Sequence, residues 1–414
     1  MLHVRPRRDT GNVACTMDTL LAGLHAALSD LEPELIALRR DLHAHPELSR
    51  QERRTSAILA DRLEAAGFKV TRLPGSGVIA DLGADHPGRR LALRADLDAL
   101  PVLERTGLEW SSTVDGVAHA CGHDAHTVIV LGAGLALATQ RDALIQRDLG
   151  VRLVFQPAEE VIPGGAHEII EGGWLTDVDE IFAVHCDPTL DVGEVGLLVG
   201  AITAAADGVE VTLKGHGGHT SRPHLTQDLT YALAKVVTDV PAALSRRLDP
   251  RAGAALVWGS VHAGGAANVI PSTGTVSGTL RMLDVQVWES VGPLVEELVT
   301  AVVAPYGVTA EVTHIPGVPP VVNTAGSVDA LRAAAREAGI IGTTTVQSLG
   351  GEDFAWYLTK LPGAMARLGT RTPGGRTYDL HQGDLVLDET AILCGAKVLA
   401  GAVVAPDPGP LATY

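Results

Sequence analysis

Residues 91–98 read Leu-Ala-Leu-Arg-Ala-Asp-Leu-Asp, a largely apolar run that ends in two carboxylates. The apolar part, Leu91–Ala95, is typical of a buried strand, and the two carboxylates follow it. Similar runs occur at Val78–Leu82, Val151–Gln156 and Ile181–His185. Helical periodicity lies between some of them, notably over Val128–Ala138. Strands that alternate with helices predict an α/β layer structure.

The segment before the first strand has a different pattern. Leucine spacing over residues 17–66 predicts two helices, and Gly67 stands where the second should end. Residues 1–16 lack the apolar core of a secretory signal, so we predict a flexible tail there.

Near residue 201 the pattern changes again. Val209, Val211 and Leu213 alternate with polar residues, as in a half-buried strand. The patterns that follow predict the order β-α-β-β-α-β, the split βαβ motif. We therefore predict a small domain at residues 201–314, inserted into a larger domain formed by residues 17–200 and 315–414.

Composition argues against several classes of partner. The 414 residues include 32 Lys and Arg against 49 Asp and Glu, a formal net charge of −17. This charge disfavours nucleic acids and anionic membranes as partners. No apolar stretch reaches the ~18 residues of a membrane span. The four cysteines form no CxxC pair, which favours a reducing cytoplasm.

Potential metal ligands follow the predicted strands, at the sheet edge where α/β proteins form their sites. They are Asp96, Asp98, Glu159, Glu160 and His185, with Cys121 and His123 ahead of the helix at Val128. Thiolate, imidazole and carboxylate groups bind Zn²⁺, Mn²⁺, Co²⁺ or Ni²⁺. In an adjacent glutamate pair, one side chain can bind metal while the other moves a proton, as hydrolysis requires.

Each of these features also has a structural interpretation. A Cys before Gly-His is often a small buried residue, and adjacent glutamates are often solvated. Asp96 and Asp98 are also suitable caps for a helix. Spacing alone therefore indicates a metal site at this edge of the sheet but does not determine which of these residues bind the ion.

Short motifs occur in a fixed order from residue 42 to residue 381. They are Leu42-His-Ala-His-Pro-Glu-Leu48, Leu93-Arg-Ala-Asp-Leu-Asp-Ala-Leu-Pro101, His119-Ala-Cys-Gly-His-Asp124, Gln156-Pro-Ala-Glu-Glu160, Gly217-Gly-His-Thr-Ser-Arg-Pro-His224, Asn268-Val-Ile-Pro271, Gly350-Gly-Glu-Asp-Phe354 and Leu380-His381. In these motifs the chain resembles the aminoacylase/carboxypeptidase-type dinuclear metallohydrolases over about residues 32–404. The similarity is to the amidohydrolase subgroup, which includes hippurate hydrolases and hydrolases of indole-acetyl-amino-acid conjugates.

The resemblance implies a fold and an assembly. The larger domain should have a zinc-peptidase-like mixed sheet flanked by helices. The insert should be a ferredoxin-like α+β lid and dimerisation domain. A homodimer, or a higher homo-oligomer, is expected.

The resemblance also assigns roles to residues. It implies that two divalent ions (Zn, Mn, Co or Ni) bind to Cys121, His123, Glu160, His185 and His381, with the cysteine as a bridge. Glu159 corresponds to the general base, and Asp98 to the carboxylate that supports the site. His219 corresponds to a histidine that reaches the partner subunit's active site, and Asn268 and Arg281 to residues that hold substrate.

The implied activity is hydrolysis of the amide bond of small N-acyl-amino acids by metal-activated water. The products would be a carboxylic acid and a free amino acid. Two alternatives remain: a metallo-dipeptidase or carboxypeptidase of the same fold, and a non-catalytic binding protein. One departure from the subgroup is Cys186, which follows the predicted ligand His185 where an apolar residue is more usual.

Overall fold

The computed structural model describes residues 10–406, with side chains from residue 17 onward. Residues 1–9 of the predicted tail lie outside this range. The chain divides into two compact units. The second unit comprises Ala201–Val322 and Gln347–Trp356, and the other described residues form the first unit.

The first unit begins with a long helix and also contains the last helix of the chain. The helices of the chain are α1 Thr10–Ala44, α2 Arg53–Ala65, α3 His123–Ala138, α4 Arg141–Gln146, α5 Gly165–Glu171, α6 Leu229–Arg247, α7 Val285–Val303, α8 Ala325–Glu337, α9 Ala355–Leu358 and α10 Thr390–Val404. The two helices predicted within residues 17–66 are therefore confirmed as α1 and α2.

The strands fall mostly into one large and one small sheet. They are β1 Lys69–Arg72, β2 Val78–Gly83, β3 Arg89–Asp96, β4 Leu149–Gln156, β5 Glu180–Asp191, β6 Glu194–Leu197, β7 Gly200–Ala201, β8 Ala205–Lys214, β9 Gly218–His219, β10 Ala255–Ala263, β11 Val269–Ile270, β12 Thr273–Met282, β13 Thr309–Val318, β14 Val322–Asn323, β15 Ile341–Thr344 and β16 Gly363–Arg371. The four apolar runs predicted as strands are confirmed as β2, β3, β4 and β5.

The large sheet of the first unit is mixed, as expected. Its order is β1-β2-β4-β3-β5-β16-β6-β15. β3 runs parallel to both β4 and β5, and β16 runs parallel to β5, whereas β2 and β6 pair with their neighbours β4 and β16 in antiparallel fashion. β4 is buried at every position from Gly150 to Gln156. Burial of successive residues requires cover on both faces of the sheet, which explains the unbroken apolar run in the sequence.

The small sheet of the second unit has the order β10-β12-β8-β13, and its pairings are antiparallel. With α6 and α7 between the strands, the chain order is the predicted split βαβ motif. Along β8, buried positions alternate with more exposed ones, because the helices cover one face only. α6 begins at Leu229, where the Asp228 carboxylate accepts a hydrogen bond from the Tyr231 amide and caps the helix.

The second unit extends beyond residue 314. β13 continues to Val318 against β8. Ser348 lies alongside the segment that precedes β8: its amide donates to the Ile202 carbonyl (2.9 Å) and its carbonyl accepts from the Ala204 amide (2.9 Å). These bonds attach residues 347–356 to the second unit although they are distant in sequence.

Within residues 10–406, none of the helices combines the length and apolar composition that a membrane crossing requires.

Candidate metal centre

Sheet topology brings the predicted carboxylates and one histidine to the same edge. β4, β3 and β5 are adjacent and parallel, so their carboxyl ends lie together. Asp98 follows β3, and Glu159 and Glu160 follow β4. His185 lies on β5 beyond Ala183, the last residue that pairs with β3. A sequence pattern of strand ends therefore becomes a cluster in space.

A tight turn adds two further potential metal ligands to this cluster. Cys121 and His123 flank Gly122, which has a φ of 87° and precedes α3. A side chain at residue 122 would place its Cβ 2.9 Å from the Cys186 sulfur. Glycine is therefore required here for both its left-handed backbone and its lack of a side chain.

The predicted metal ligands approach one another in pairs. Cys121 Sγ lies 3.6 Å from His185 Nε2. Glu160 Oε1 lies 3.8 Å from His123 Nε2 and 3.3 Å from His381 Nε2. Ligand atoms of Cys121, Glu160 and His381 also lie within 4.8 Å of one another. The five side chains thus form one continuous cluster.

These separations fit divalent cations. Two atoms that each lie ~2.0–2.3 Å from one tetrahedral ion are ~3.3–3.8 Å apart. Within the described part of the chain, neither ring nitrogen of His123 nor Glu160 Oε1 makes a well-aligned hydrogen bond, although all three atoms are buried. Buried polar atoms normally have a hydrogen-bond partner. Where several potential metal-ligand atoms lie together without one, a divalent cation is the partner that fits them.

The electrostatics of the cluster point the same way. Burial raises the pKa of the Cys121 thiol to about 12, despite the opposing effect of His123. A thiolate at this position therefore requires a nearby cation to stabilise it. Burial, with a smaller contribution from Arg367, holds the pKa of His185 well below its usual value. His185 is therefore neutral, which is the form that binds metals.

His381 reaches the cluster from a loop with unusual backbone geometry. Its φ is 63°, and its amide donates to the Ala120 carbonyl at 2.7 Å. Left-handed φ in a residue other than glycine has an energetic cost, and such residues concentrate at functional sites. The neighbouring Glu160 carboxylate raises the pKa of His381, although partial burial opposes this.

Asp98 holds the turn that carries the two glutamates. Its carboxylate accepts from the amides of Glu159 (3.1 Å) and Glu160 (3.0 Å) and from the Ser49 hydroxyl (2.6 Å). The Asp98 side chain is fully buried, and its Oδ1 lies 3.3 Å from His123 Nδ1. Glu159 lies close by, with a carboxylate oxygen within 4.8 Å of the donor atoms of His123 and Glu160.

The other predicted site residues lie in the second unit. His219 is exposed on β9, opposite Val269 of β11, and the next amide, of Thr220, donates to the Asn268 carbonyl at 3.2 Å. His219 and Asn268 are therefore neighbours. Arg281, on β12, donates from its guanidinium to the Leu349 carbonyl.

One buried residue beside the predicted metal ligands, His126, was not assigned a role from the sequence. His126 lies one helical turn after His123 on α3, and their ring centroids are 5.4 Å apart. Its Nδ1 lies 2.7 Å from Asp96 Oδ1. Spacing of three residues on a helix places both histidines on one face, a signal present in the sequence.

Comparisons with known proteins agree with this geometry. The model of the family described as Peptidase family M20/M25/M40 matches residues 92–405. The N-acetyl-L-cysteine deacetylase of Bacillus subtilis (strain 168) is 36% identical over 390 residues, which cover 94% of this chain and 91% of that protein. Thermostable carboxypeptidase 1 of Saccharolobus solfataricus is 35% identical over 392 residues, covering 93% of this chain and 98% of that protein.

One relative is much longer. A Rhodococcus jostii (strain RHA1) protein named as a glutamate–cysteine ligase 2-3 is 46% identical over 398 residues, which cover 95% of this chain but only 48% of that protein. This chain therefore spans about half the length of that relative, and the name of the whole protein does not carry over to it.

Solved structures show the same relationship. A Bacillus subtilis crystal structure, described as a dinuclear metal binding peptidase from the M20 family, superposes with a TM-score of 0.80 at 34% identity. The match covers 91% of this chain and 98% of that one. The mixed α/β fold and the family resemblance predicted from the sequence are thereby confirmed. The chain belongs to Peptidase family M20/M25/M40.

Proposed function

We propose that this chain is a metal-dependent amidohydrolase that cleaves the amide bond of small N-acyl-amino acids. One observation carries the proposal: five potential ligands converge beside Glu159 in a cluster that is largely buried except at His381, namely Cys121, His123, Glu160, His185 and His381. Among the described residues, both ring nitrogens of His123 and one carboxylate oxygen of Glu160 lack a well-aligned hydrogen-bond partner there. The relative named as a deacetylase, aligned over nearly all of both chains, supports the choice of substrate class.

The five residues would hold two divalent cations, since a structural relative is described as dinuclear. Bound divalent cations lower the pKa of water and polarise a carbonyl oxygen. Mixed thiolate, imidazole and carboxylate donors suit Zn²⁺, Mn²⁺, Co²⁺ or Ni²⁺.

Glu159 would act as the general base and then as the general acid. Its carboxylate takes a proton from the attacking water as the water oxygen bonds to the amide carbon. The C–N bond then breaks, and Glu159 gives the proton to the leaving amine. The products are a carboxylic acid and a free amino acid. Asp98 keeps the backbone of Glu159 in place through its hydrogen bond to the amide.

A variant of Glu159 tests this mechanism. Glu159→Gln preserves size but removes the base, so kcat should fall by about 100- to 10,000-fold, while Zn²⁺ stoichiometry, measured by elemental analysis, stays at that of the parent. Activity of the parent should disappear with a chelator and return with Zn²⁺, Mn²⁺, Co²⁺ or Ni²⁺. Parent-like turnover by Glu159→Gln, or full activity of the chelated parent, would refute the proposal.

A carboxypeptidase or dipeptidase is the second candidate, because one relative carries a carboxypeptidase name over 93% of this chain. A substrate panel separates the two activities. N-acetyl, N-benzoyl and indole-acetyl amino acids are compared with dipeptides and longer peptides, and the released amine is quantified. Higher kcat/KM for the acylated amino acids supports the proposal, and higher kcat/KM for peptides supports the alternative.

We further propose a homodimer formed through the second unit. β10 is an edge strand of the small sheet, and Val257 and Val261 on it are 62% and 50% exposed. An exposed edge strand with apolar side chains is a site for pairing with a second chain. In such a dimer, His219 would act in the partner's active site and stabilise the oxyanion, and Asn268 and Arg281 would bind substrate.

Mixing two inactive variants tests the shared site. His219→Ala and Glu159→Gln should each be inactive as homodimers. After subunit exchange, a heterodimer contains one site with both residues intact, so part of the activity should return. Absence of recovery, with exchange verified by mass spectrometry of differently labelled chains, would contradict a shared site.

We also propose a reducing compartment, the cytoplasm, for this protein. The three described cysteines, Cys121, Cys186 and Cys394, are free thiols. Such conditions keep the Cys121 thiol reduced and able to bind a metal as the thiolate.

A further inference from the structure

The His126 ring lies beside two proposed metal ligands, with its centroid 5.4 Å from that of His123 and 4.9 Å from that of His185, but neither of its nitrogens is available to a metal. The Cys186 backbone N–H donates to its Nε2 at 2.8 Å. Because a backbone N–H only donates, Nε2 must accept, and the ring proton is on Nδ1. Nδ1 then donates to Asp96 Oδ1 at 2.7 Å. Both nitrogens are engaged, so the group Asp96, His123 and His126 is not a third metal site, although its atoms lie within 4.8 Å of one another.

Asp96 is itself fixed from the opposite side. Arg94 donates to Asp96 Oδ2 at 2.6 Å and to Gln156 Oε1 at 3.0 Å. The side chains of Arg94 and Asp96 are 1% and 0% exposed. A buried, charge-assisted pair of this kind restrains the carboxylate and, through it, the orientation of the His126 ring.

On its other side, His126 contacts the backbone of Cys186, the residue after the proposed ligand His185. His185 Nδ1 donates to the Cys186 carbonyl at 2.9 Å, which leaves Nε2 with a lone pair that faces Cys121 Sγ at 3.6 Å. Pairing of β3 with β5 ends at Arg94 and Ala183, before Cys186. The His126 ring therefore supplies an acceptor for a backbone donor that lies beyond the end of that pairing.

We infer that His126, held by Asp96, is a positioning residue that sets the orientation of His185 through the Cys186 peptide and thereby tightens metal binding. The inference rests on the proposed metal site. It predicts that His126 acts through its Nε2 and the Cys186 N–H and never contacts the ion. Loss of comparable outer contacts to metal ligands weakens metal affinity about 10- to 100-fold.

Two substitutions of His126 distinguish its contact with the Cys186 N–H from its contact with Asp96. The amide of Gln extends about as far as Nε2, so His126→Gln keeps an acceptor near the Cys186 N–H. The amide of Asn extends about as far as Nδ1, so His126→Asn keeps the Asp96 contact and loses the one to Cys186. His45→Asn is the matched control, because His45 is 47% exposed and its Nδ1 bonds to the Asp41 carbonyl.

The experiment titrates the purified apo chain with Zn²⁺ alone against a chromophoric chelator, and elemental analysis at saturation gives the stoichiometry. His126→Asn should bind Zn²⁺ about 10- to 100-fold more weakly, His126→Gln should recover most of the affinity, and His45→Asn should match the parent. Stoichiometry at saturation should be unchanged in all of them. Far-UV circular dichroism of each apo variant checks that it is folded.

The outcomes are distinct. Loss of one Zn²⁺ per chain in both His126 variants would show that His126 is a ligand and overturn the inference. Parent-like affinity of His126→Asn, or equal weakening in the Asn and Gln variants, would overturn it as well. A parent chain that binds no Zn²⁺ would instead refute the proposed function.

Discussion

Replacing Asp98 by Asn tests whether this carboxylate holds the turn that carries Glu159 and Glu160. One carboxylate oxygen of Asp98 accepts from the Glu159 amide, and the other accepts from the Glu160 amide and Ser49. Asn offers only one acceptor oxygen. In either orientation of its amide, one backbone N–H faces an NH₂ group, whereas the Ser49 hydroxyl can reverse its role.

The cost follows from the lost bond. A hydrogen bond to a charged acceptor contributes about 1.5–3 kcal/mol, which corresponds to about 10- to 150-fold in an equilibrium or a rate. Because the turn carries both Glu159 and Glu160, kcat/KM for an N-acetyl amino acid and Zn²⁺ affinity should both fall in the Asp98→Asn variant. Initial rates and chelator competition measure the two quantities.

Asp207→Asn provides the control. Asp207 is 2% exposed in the second unit and accepts from Trp288 Nε1 (2.9 Å), the Gly317 amide (2.9 Å) and His314 Nε2 (2.7 Å). Its substitution should lower the melting temperature and leave Zn²⁺ affinity unchanged. If Asp98→Asn kept kcat/KM and Zn²⁺ affinity within about twofold of the parent, the assigned role of Asp98 would be wrong.

Two further predictions concern stability and the glycine turn. Although burial opposes it, a hydrogen bond from His43 helps to lower the pKa of Glu104 to about 2. This lowered pKa contributes up to about 3 kcal/mol to the free energy of unfolding above pH 5. The contribution is lost as the pH falls from about 5 to 2. In urea unfolding of the apo chain, Glu104→Gln should therefore show a flatter acid dependence; an identical pH dependence would contradict this. Gly122→Ala should weaken Zn²⁺ binding by displacing Cys186, whereas Gly116→Ala, with a φ of 73° and no atom within 4 Å of its Cβ, should lose only the roughly 1–2 kcal/mol of left-handed strain. Equal Zn²⁺ affinities in the two alanine variants would contradict the steric argument.

Much of the fold is readable from local patterns. The apolar runs at β2, β3, β4 and β5 are strands because both sheet faces are covered, and burial on both faces leaves an unbroken apolar run. The alternation along β8 likewise reports a sheet covered on one face. The first and last residues of an element are harder to predict than the element itself. The start of α6, for example, depends on a single hydrogen bond to the capping residue Asp228.

The α/β class, the split βαβ motif and the chemistry of the potential metal ligands follow from the sequence alone, because periodicity and residue type are local properties of the chain. Which of these ligands come together depends on the three-dimensional fold. His381 joins Glu160 only through a loop whose amide bonds to Ala120. We assign His126 a positioning role rather than a ligand role because its Nε2 accepts a hydrogen bond from the Cys186 N–H. Contacts between residues far apart in the chain depend on strand order and loop geometry, which local patterns do not encode.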